Sequence, residues 1–234
     1  MTESETVDHL IYRISHDFSA SVRALVELPK WITEDLSEAQ INLPSEVQEH
    51  LEAMNTNGRR LDRMVNDLVL YSRVGRFQQS VTVDAAETVT EICESITLPP
   101  TIDLELQLTN SPFTFAQPDF SRLCQALISN AVKHADTKTT RIRVAISYKN
   151  GDLALVVDDD GPGIPPEHLE KAQEIFTTLQ SRDLVEGSGI GLALAQKIAE
   201  NYNGHMQLNL SEFGRGLSAK VTFLVNDAPN FTIN

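Results

Sequence analysis

The first part of the chain carries apolar side chains at helical spacing. One series recurs every three or four residues, with no Gly or Pro before Pro29, at Leu10, Ile11, Ile14, Phe18, Val22 and Leu25. After the polar turn SEAQINLPS, a second series alternates steps of four and three, as in a coiled-coil seam. It consists of Val47, Leu51, Met54, Leu61, Val65 and Leu68, with Gly58 and Ser72 as weak members. The pattern predicts an antiparallel helical hairpin over residues 1–77.

One hairpin alone leaves apolar stripes of this length facing water. Pairing with a second copy would bury both stripes in a four-helix bundle, which is the simplest arrangement that covers them. We therefore expect the chain to form a homodimer through its hairpin.

The pattern changes around GRFQQSVTV, where helical and strand periodicities begin to alternate. It predicts helices over 85–97 and 118–135, strands over 103–109, 141–148 and 153–157, a helix opening at GSGIG, and a closing hairpin. One sheet with helices packed on it satisfies this order. We expect an α+β chain in which residues 78–234 form an α/β sandwich domain.

Composition and charge disfavour some classes of partner and indicate where in the cell the chain is located. The formal net charge is -14, which disfavours binding to nucleic acid or to an anionic membrane. No stretch approaches the roughly 20 apolar residues that span a bilayer, and the acidic start lacks the features of a signal peptide. Cys93 and Cys124 lie in apolar contexts without metal-like spacing, which favours buried thiols over a disulfide. We expect a cytoplasmic chain with no membrane segment.

His16, in ISHDFSAS, lies about half a turn from the apolar stripe of the first helix and should point to solvent. It is either an ordinary surface histidine or a nucleophile. A neutral imidazole nitrogen can attack phosphorus, and Asp17 beside it could hold the ring's tautomer.

The stretch QALISNAVKHA predicts a core helix that carries one polar patch, made of Asn130, Lys133 and His134. An Asn oxygen can ligate magnesium, and a lysine can meet a phosphate. The alternative is a helix whose polar face is simply hydrated.

The segment GSGIGLALAQKI, Gly187 to Ile198, predicts a glycine-rich turn that opens a helix, where backbone N–H groups suit phosphate oxygens. Such turns are common at helix starts, so this signal is weak alone. The polar QSRDLVE before it argues against a dinucleotide fold, which requires a strand there.

VVDDDGPGIP, Val156 to Pro165, places three carboxylates between an apolar strand and a turn. A metal site, a site that reads an amine and a solvated turn are all compatible with it. Gly161 and Gly163 would let the backbone approach a flat ligand closely.

In order and spacing, these motifs resemble those of sensor histidine kinases over roughly residues 7–225. The SHD stretch at 15–17 is similar to the phosphoacceptor box, SNAVKHA at 129–135 to the N box, and DDGPGI at 159–164 to the first glycine box. GSGIGL at 187–192 is similar to the second glycine box. The run SRDLVEGSGIGLALAQKI is especially similar to kinases of the phytochrome-like branch.

The resemblance implies a role for each matching position. His16 would accept the γ-phosphoryl group of ATP with help from Asp17 and pass it to an aspartate on a response-regulator receiver domain. Asn130 would hold Mg²⁺, Lys133 would face the phosphates, and Asp159 would accept a hydrogen bond from the adenine amino group. The residues implied to bind nucleotide are Asn130, Lys133, His134, Asp159, Gly161, Gly163, Ile164, Arg182, Gly187, Ser188, Gly189, Ile190, Gly191 and Leu192.

Several positions depart from the family pattern. Ser21 replaces the usual proline after the histidine, and Ala20 replaces the Thr or Asn that accompanies phosphatase activity. Ala126 replaces an Asn of the N box, and Gln173 replaces an aromatic residue of the lid. Asp160 stands where the family commonly has Asn, and we expect Asp158 to face solvent.

We therefore expect an ATP-dependent, Mg²⁺-using histidine kinase core. Two alternatives stay open. One is a histidine phosphotransfer protein that keeps the fold without hydrolysing ATP. The other is a dimeric scaffold that binds nucleotide only to change shape.

Overall fold

A computed structural model describes residues 3–76, 78–96, 98–109, 111–136, 140–179 and 187–225, with side chains from residue 9 onward. The chain separates into two compact units, Met1–Arg73 and Val74–Asn234. Helices alone build the first unit, and the second combines helices with a sheet. The predicted order of a helical hairpin followed by an α/β sandwich is confirmed.

The first unit is a hairpin of two long helices, α1 (Glu3–Glu38) and α2 (Ser45–Ser72). α1 continues through Pro29, and the hydroxyl of Thr33 donates to the carbonyl that precedes it by one turn, at 2.8 Å. Gly58 and Ser72, the weak members of the predicted seam, are the buried positions of α2. A Cβ on Gly58 would lie 3.1 Å from Val26 Cγ2, so this glycine lets the two helices approach closely.

The apolar stripes of the hairpin are only partly covered within one chain. The large side chains that stay exposed include Leu10 (56%), Phe18 (58%), Leu25 (49%), Met54 (50%) and Leu61 (44%). Exposure of this kind along two helices is typical of an interaction surface. Among the described residues, no helix combines the length and apolar character needed to cross a membrane.

The second unit is built on a five-stranded sheet with the order β2-β4-β5-β7-β6. β2 pairs with β4 in parallel, and the other neighbours are antiparallel. The strands are β2 (Ile102–Leu108), β4 (Thr140–Lys149), β5 (Asp152–Asp159), β6 (His205–Leu210) and β7 (Leu217–Leu224). A separate short pair joins β1 (Val81–Val83) to β3 (Phe113–Phe115).

The described residues of this unit also form three α-helices: α3 (Ala85–Ser95), α4 (Gln117–Lys133) and α5 (Gly191–Asn201). α4 and α5 pack against each other and against the sheet. Alternate residues of β4 and β5, such as Ile142 and Leu155, are fully buried, so one face of the sheet forms the core. Cys93 and Cys124 are free thiols in this core, as predicted.

Candidate functional site

A cavity of about 520 Å³ lies in the second unit, bounded by the end of α4, the turn after β5 and the glycine segment before α5. This volume is in the range of small-molecule binding sites. The fold brings together most of the residues implied to bind nucleotide, because α4, β5 and α5 all end or begin at the cavity. Those that line it are Asn130, Lys133, His134, Asp159, Gly163, Ile164, Gly187, Ser188, Gly189, Gly191 and Leu192.

Two of the implied residues, Gly161 and Ile190, have other positions. Gly161 does not line the cavity, but its N–H donates to Asp159 Oδ1 at 2.9 Å and so holds a residue of the cavity wall. Ile190 is buried, with 1% of its surface exposed, and it caps the start of α5. Arg182 lies outside the described residues.

The glycines of the turn after β5 make room for protein backbone. A Cβ on Gly161 would lie 2.8 Å from the carbonyl oxygen of His134. Gly163 has a φ of +71°, and a Cβ there would lie 2.9 Å from the carbonyl oxygen of Gly216. Both glycines thus let neighbouring chain segments close around Asp159, a packing role that the sequence did not predict.

Asp159 ends β5 and is almost fully buried, with 5% exposed. Its Oδ1 accepts hydrogen bonds from the N–H of Gly161 and from the N–H of Leu217 at 3.2 Å. Burial raises the pKa of this carboxyl; the two backbone bonds oppose the rise, and the charges of Asp160 and Asp158 add to it. The carboxylate is thus fixed in one orientation at the cavity wall.

Asp158 does not face solvent, which corrects the expectation from sequence. It is fully buried, and Arg143 Nη2 donates to its Oδ2 at 2.7 Å. The two residues stand directly opposite each other on β5 and β4. Hydrogen bonds to Asp158 and then to Glu212 raise the pKa of Arg143. A buried carboxylate requires such a partner, so Asp158 is structural.

Asp160 accepts hydrogen bonds from the backbone N–H of Arg141 at 2.9 Å and from its Nε at 3.2 Å. The guanidinium of Arg141 also lies over the ring of Phe213, 4.4 Å from its centroid. Arginines on β4 therefore neutralise the first and third acids of the triplet, and the middle acid faces the cavity.

The last turn of α4 carries the polar patch that the sequence predicted. Asn130 and His134 are four residues apart, and the carbonyl of Asn130 accepts the N–H of His134 at 3.1 Å. Burial, and then the charge of Lys133, lowers the pKa of His134. The lowered pKa favours the neutral imidazole of His134, and the exposed side chain of Lys133 lies at the same cavity.

The glycine segment is a turn that runs into α5, which begins at Gly191, as the sequence predicts. Gly189 has a φ of +74°, and a Cβ there would lie 2.6 Å from the carbonyl oxygen of Thr177. Only glycine fits this close packing on the preceding loop. The positive end of α5 then faces the cavity, where it suits an anion.

Sequence reasoning missed several residues of the cavity. Leu217 supplies an N–H to Asp159 from β7, and no local pattern reveals a contact between positions so distant in the chain. His168 and Thr177 belong to the loop between Asp159 and Gly187, which contains two short 3-10 turns, Pro166–His168 and Lys171–Gln173.

His16 belongs to the first unit. Its side chain is 74% exposed, and its Nδ1 lies 3.3 Å from Asp17 Oδ1. The ring of Tyr12, one turn earlier, is 6.3 Å away between centroids. The prediction that His16 points to solvent therefore matches its exposure, and the ring is open to a reaction partner.

The described residues offer few donors for a metal ion. Within the described ranges, no group of three or more His, Cys, Asp or Glu side chains is arranged to hold a metal ion. Asn130 offers a neutral amide oxygen at the cavity. One such donor suits Mg²⁺ that arrives with phosphates and keeps much of its water shell.

The sequence of this chain matches one protein family and several known proteins. The family described as histidine kinase-, DNA gyrase B- and HSP90-like ATPase matches residues 116–228. Phytochrome-like protein Cph1 of Synechocystis sp. is 26% identical over 202 residues, which are 84% of this chain and 26% of that protein. Sensor protein kinase CarS of Pseudomonas aeruginosa is 29% identical over 231 residues, 93% of this chain and 49% of that protein. The chain spans about half the length of these relatives or less.

Solved structures match the fold. Full-length ShkA in complex with AMPPNP has a TM-score of 0.68 at 19% identity, covering 94% of this chain and 46% of that one. The Acinetobacter baumannii histidine kinase AdeS has a TM-score of 0.60 at 18% identity, covering 88% and 98% of the two chains. Both share the arrangement of a helical hairpin followed by a mixed sheet domain.

Proposed function

The chain has the catalytic core of a sensor histidine kinase, with an ATPase domain of the histidine kinase, gyrase B and HSP90-like type, and from this premise we propose that it phosphorylates itself on His16. The observation that carries the proposal is the joint presence of an exposed, carboxylate-paired histidine on a helical hairpin and a buried carboxylate in a glycine-lined cavity.

In this proposal the cavity binds ATP. Asp159 accepts a hydrogen bond from the adenine amino group, because a buried carboxylate held by two backbone N–H groups is an acceptor in a fixed place. Lys133 and the N-terminus of α5 meet the phosphates. Ile164, Ala172 and Leu192 supply apolar surface for the base.

Asn130 is the residue that would hold Mg²⁺. The metal would screen the negative charge of the phosphates, which the net charge of the chain otherwise repels. Burial lowers the pKa of His134, which disfavours its cationic form, so His134 contributes little to this screening.

The nucleophile is the Nε2 atom of His16. A carboxylate only accepts, so Asp17 favours the tautomer that carries its proton on Nδ1 and leaves a lone pair on Nε2. Nε2 forms a bond to the γ-phosphorus as the bond to the bridging oxygen breaks and ADP leaves. Asp17 then takes the Nδ1 proton and neutralises the ring.

The second step of the proposed reaction passes the phosphoryl group from His16 to an aspartate of a response-regulator receiver domain. The high exposure of His16 allows a second protein to reach the same nitrogen. The exposed apolar stripes of α1 and α2 support a homodimer through a four-helix bundle.

Incubation with γ-labelled ATP and Mg²⁺ tests this function. The wild-type chain should acquire acid-labile label, and His16→Gln should acquire none. His9→Gln is the matched control, because His9 is exposed on the same helix and should leave the labelling unchanged.

The same assay separates the alternatives. Label that appears only when a second kinase is added would favour a phosphotransfer protein. ATP binding without label on any variant would favour the nucleotide-binding scaffold.

A further inference from the structure

A fully buried carboxylate, Asp119, lies at the N-terminus of α4, away from the nucleotide cavity. It accepts four hydrogen bonds, which is the full capacity of a carboxylate. The donors are Gly75 N at 2.8 Å, Gln78 Nε2 at 2.9 Å, Arg122 Nη1 at 2.7 Å and Tyr202 Oη at 2.9 Å. We refer to Asp119 and these four donors as the Asp119 hub.

The hub joins three segments that are distant in the chain. Gly75 and Gln78 belong to the segment directly after α2, Asp119 and Arg122 to the first turns of α4, and Tyr202 to the end of α5. The contact with the first segment is close, because a Cβ on Gly75 would lie 2.3 Å from the side chain of Asn201.

The helices that meet at the hub are those that build the nucleotide cavity. α4 runs about 16 Å from Asp119 to Asn130, and α5 spans about 16 Å from Gly191 to Tyr202. They are packed against each other, with the C-terminus of α4 and the N-terminus of α5 at the cavity. The hub therefore ties together the opposite ends of the same two helices.

We propose that the Asp119 hub is a positioning device that fastens the segment following the hairpin to both nucleotide-site helices, so that nucleotide occupancy is transmitted to that segment. Asp119 contacts no substrate and acts through α4 and α5. The kinase part of this inference rests on the proposed function; the structural coupling needs only nucleotide binding.

The chemistry of the hub makes it sensitive to small displacements. Its hydrogen bonds converge on two oxygens in a buried place, where a broken bond leaves a polar group unsatisfied. Burial, together with the bond to Asp119, raises the pKa of the Tyr202 phenol, so its O–H remains a donor throughout the working range of pH. The ring of Tyr202 also stacks on Phe115, with centroids 4.4 Å apart.

Two variants disturb the hub without removing its carboxylate. Tyr202→Phe deletes one donor and keeps the ring stack. Gly75→Ala forces a Cβ into the Asn201 side chain at a φ of +71°. Gly214→Ala is the matched control, since it imposes a similar backbone strain at a φ of +77° with no atom within 4 Å.

Hydrogen exchange of the full chain, with and without AMPPNP and Mg²⁺, tests the coupling. In the wild type and Gly214→Ala, nucleotide should slow exchange in the peptide covering residues 74–80 about tenfold. This protection should be lost in Gly75→Ala and reduced in Tyr202→Phe. Unchanged exchange in residues 74–80 of a wild type that binds AMPPNP would overturn the proposal.

Labelling of His16 from ATP distinguishes the two proposals. Gly75→Ala should lower the labelling rate at saturating ATP about tenfold, with a Kd for AMPPNP within about threefold of wild type. A wild type that shows the protection but never labels would contradict the kinase function and leave the hub standing. A wild type that becomes labelled on His16 but shows no protection of residues 74–80 would contradict the hub and leave the kinase function standing.

Discussion

Two opposed effects act on the carboxylate of Asp159. It is buried beside two other acids, which raises its pKa, yet it must be ionised to be a strong acceptor toward an adenine amino group. Hydrogen bonds from Gly161 and Leu217 hold it in place and offset part of this cost. The ionised form of Asp159 therefore destabilises the empty protein, and in the proposed function it is the form that accepts the hydrogen bond from adenine.

Asp159→Asn should weaken the binding of ATP by about tenfold or more, because the amide can present an N–H to the adenine amino group in place of an acceptor. Isothermal calorimetry measures the change. Asp160→Asn is the control: it removes the neighbouring carboxylate, which pairs with the half-exposed Arg141, and should change the affinity by less than about threefold. Equal affinities for Asp159→Asn and wild type would remove Asp159 from the site.

The same substitution should stabilise the protein without nucleotide. The pKa of Asp159 is raised on folding, so ionisation costs stability as the pH rises from its ordinary value through the raised one. Asp159→Asn should therefore melt at a higher temperature than wild type at pH 7. The gain should shrink as the pH falls through the raised pKa and should vanish below the ordinary value of about 4, where the carboxyl becomes protonated in both states. A gain that is independent of pH would contradict the assignment.

At the scale of elements, the pairing of β4 with β5 explains the acid triplet. Arg143 lies opposite Asp158, and Arg141 bonds Asp160, so two ion pairs brace the strand end from which Asp159 projects. The crowding of three acids is tolerated because the two outer charges are neutralised.

Arg143→Met should destabilise the fold by about 3 kcal/mol, because it leaves the buried carboxylate of Asp158 unpaired. Denaturant unfolding measures this. Arg141→Met tests the exposed pair and should cost less than about 1 kcal/mol. Adding Asp158→Asn to Arg143→Met should recover part of the loss; no recovery would mean that Arg143 acts through packing alone.

Elements differ in how well the sequence predicts them. The hairpin and the helices α3 to α5 follow from long periodic patterns, and their prediction is confirmed. β1 and β3 have three residues each, too few to show an alternation. The burial of Asp158 depends on a partner across the sheet, and the burial of Gly58 depends on how closely α1 approaches. Such features arise from tertiary packing, which local spacing does not contain.

At the scale of the molecule, the hairpin leaves apolar side chains exposed along α1 and α2. A second hairpin would cover them, which would place two copies of His16, the proposed phosphoacceptor, in one assembly. The two-unit organisation then gives each copy a His16 and a cavity for the proposed nucleotide.

Light scattering at micromolar concentration should return twice the chain mass. Leu61→Glu should shift the protein toward monomer, because it would bury a charge in the seam of the bundle. Thr56→Glu, on the opposite face of α2, should leave the dimer intact. A wild type that scatters as a monomer would refute the bundle.

The location of the phosphoryl group after incubation with ATP and Mg²⁺ tests the proposed phosphorylation of His16 most directly. Tandem mass spectrometry of peptides prepared at alkaline pH, where phosphohistidine survives, can assign it to one side chain. We predict phosphorylation of His16, absent from His16→Gln and strongly reduced in Asp159→Asn at limiting ATP. A chain that binds ATP and carries no phosphate on His16, or carries it on another residue, would contradict the central claim.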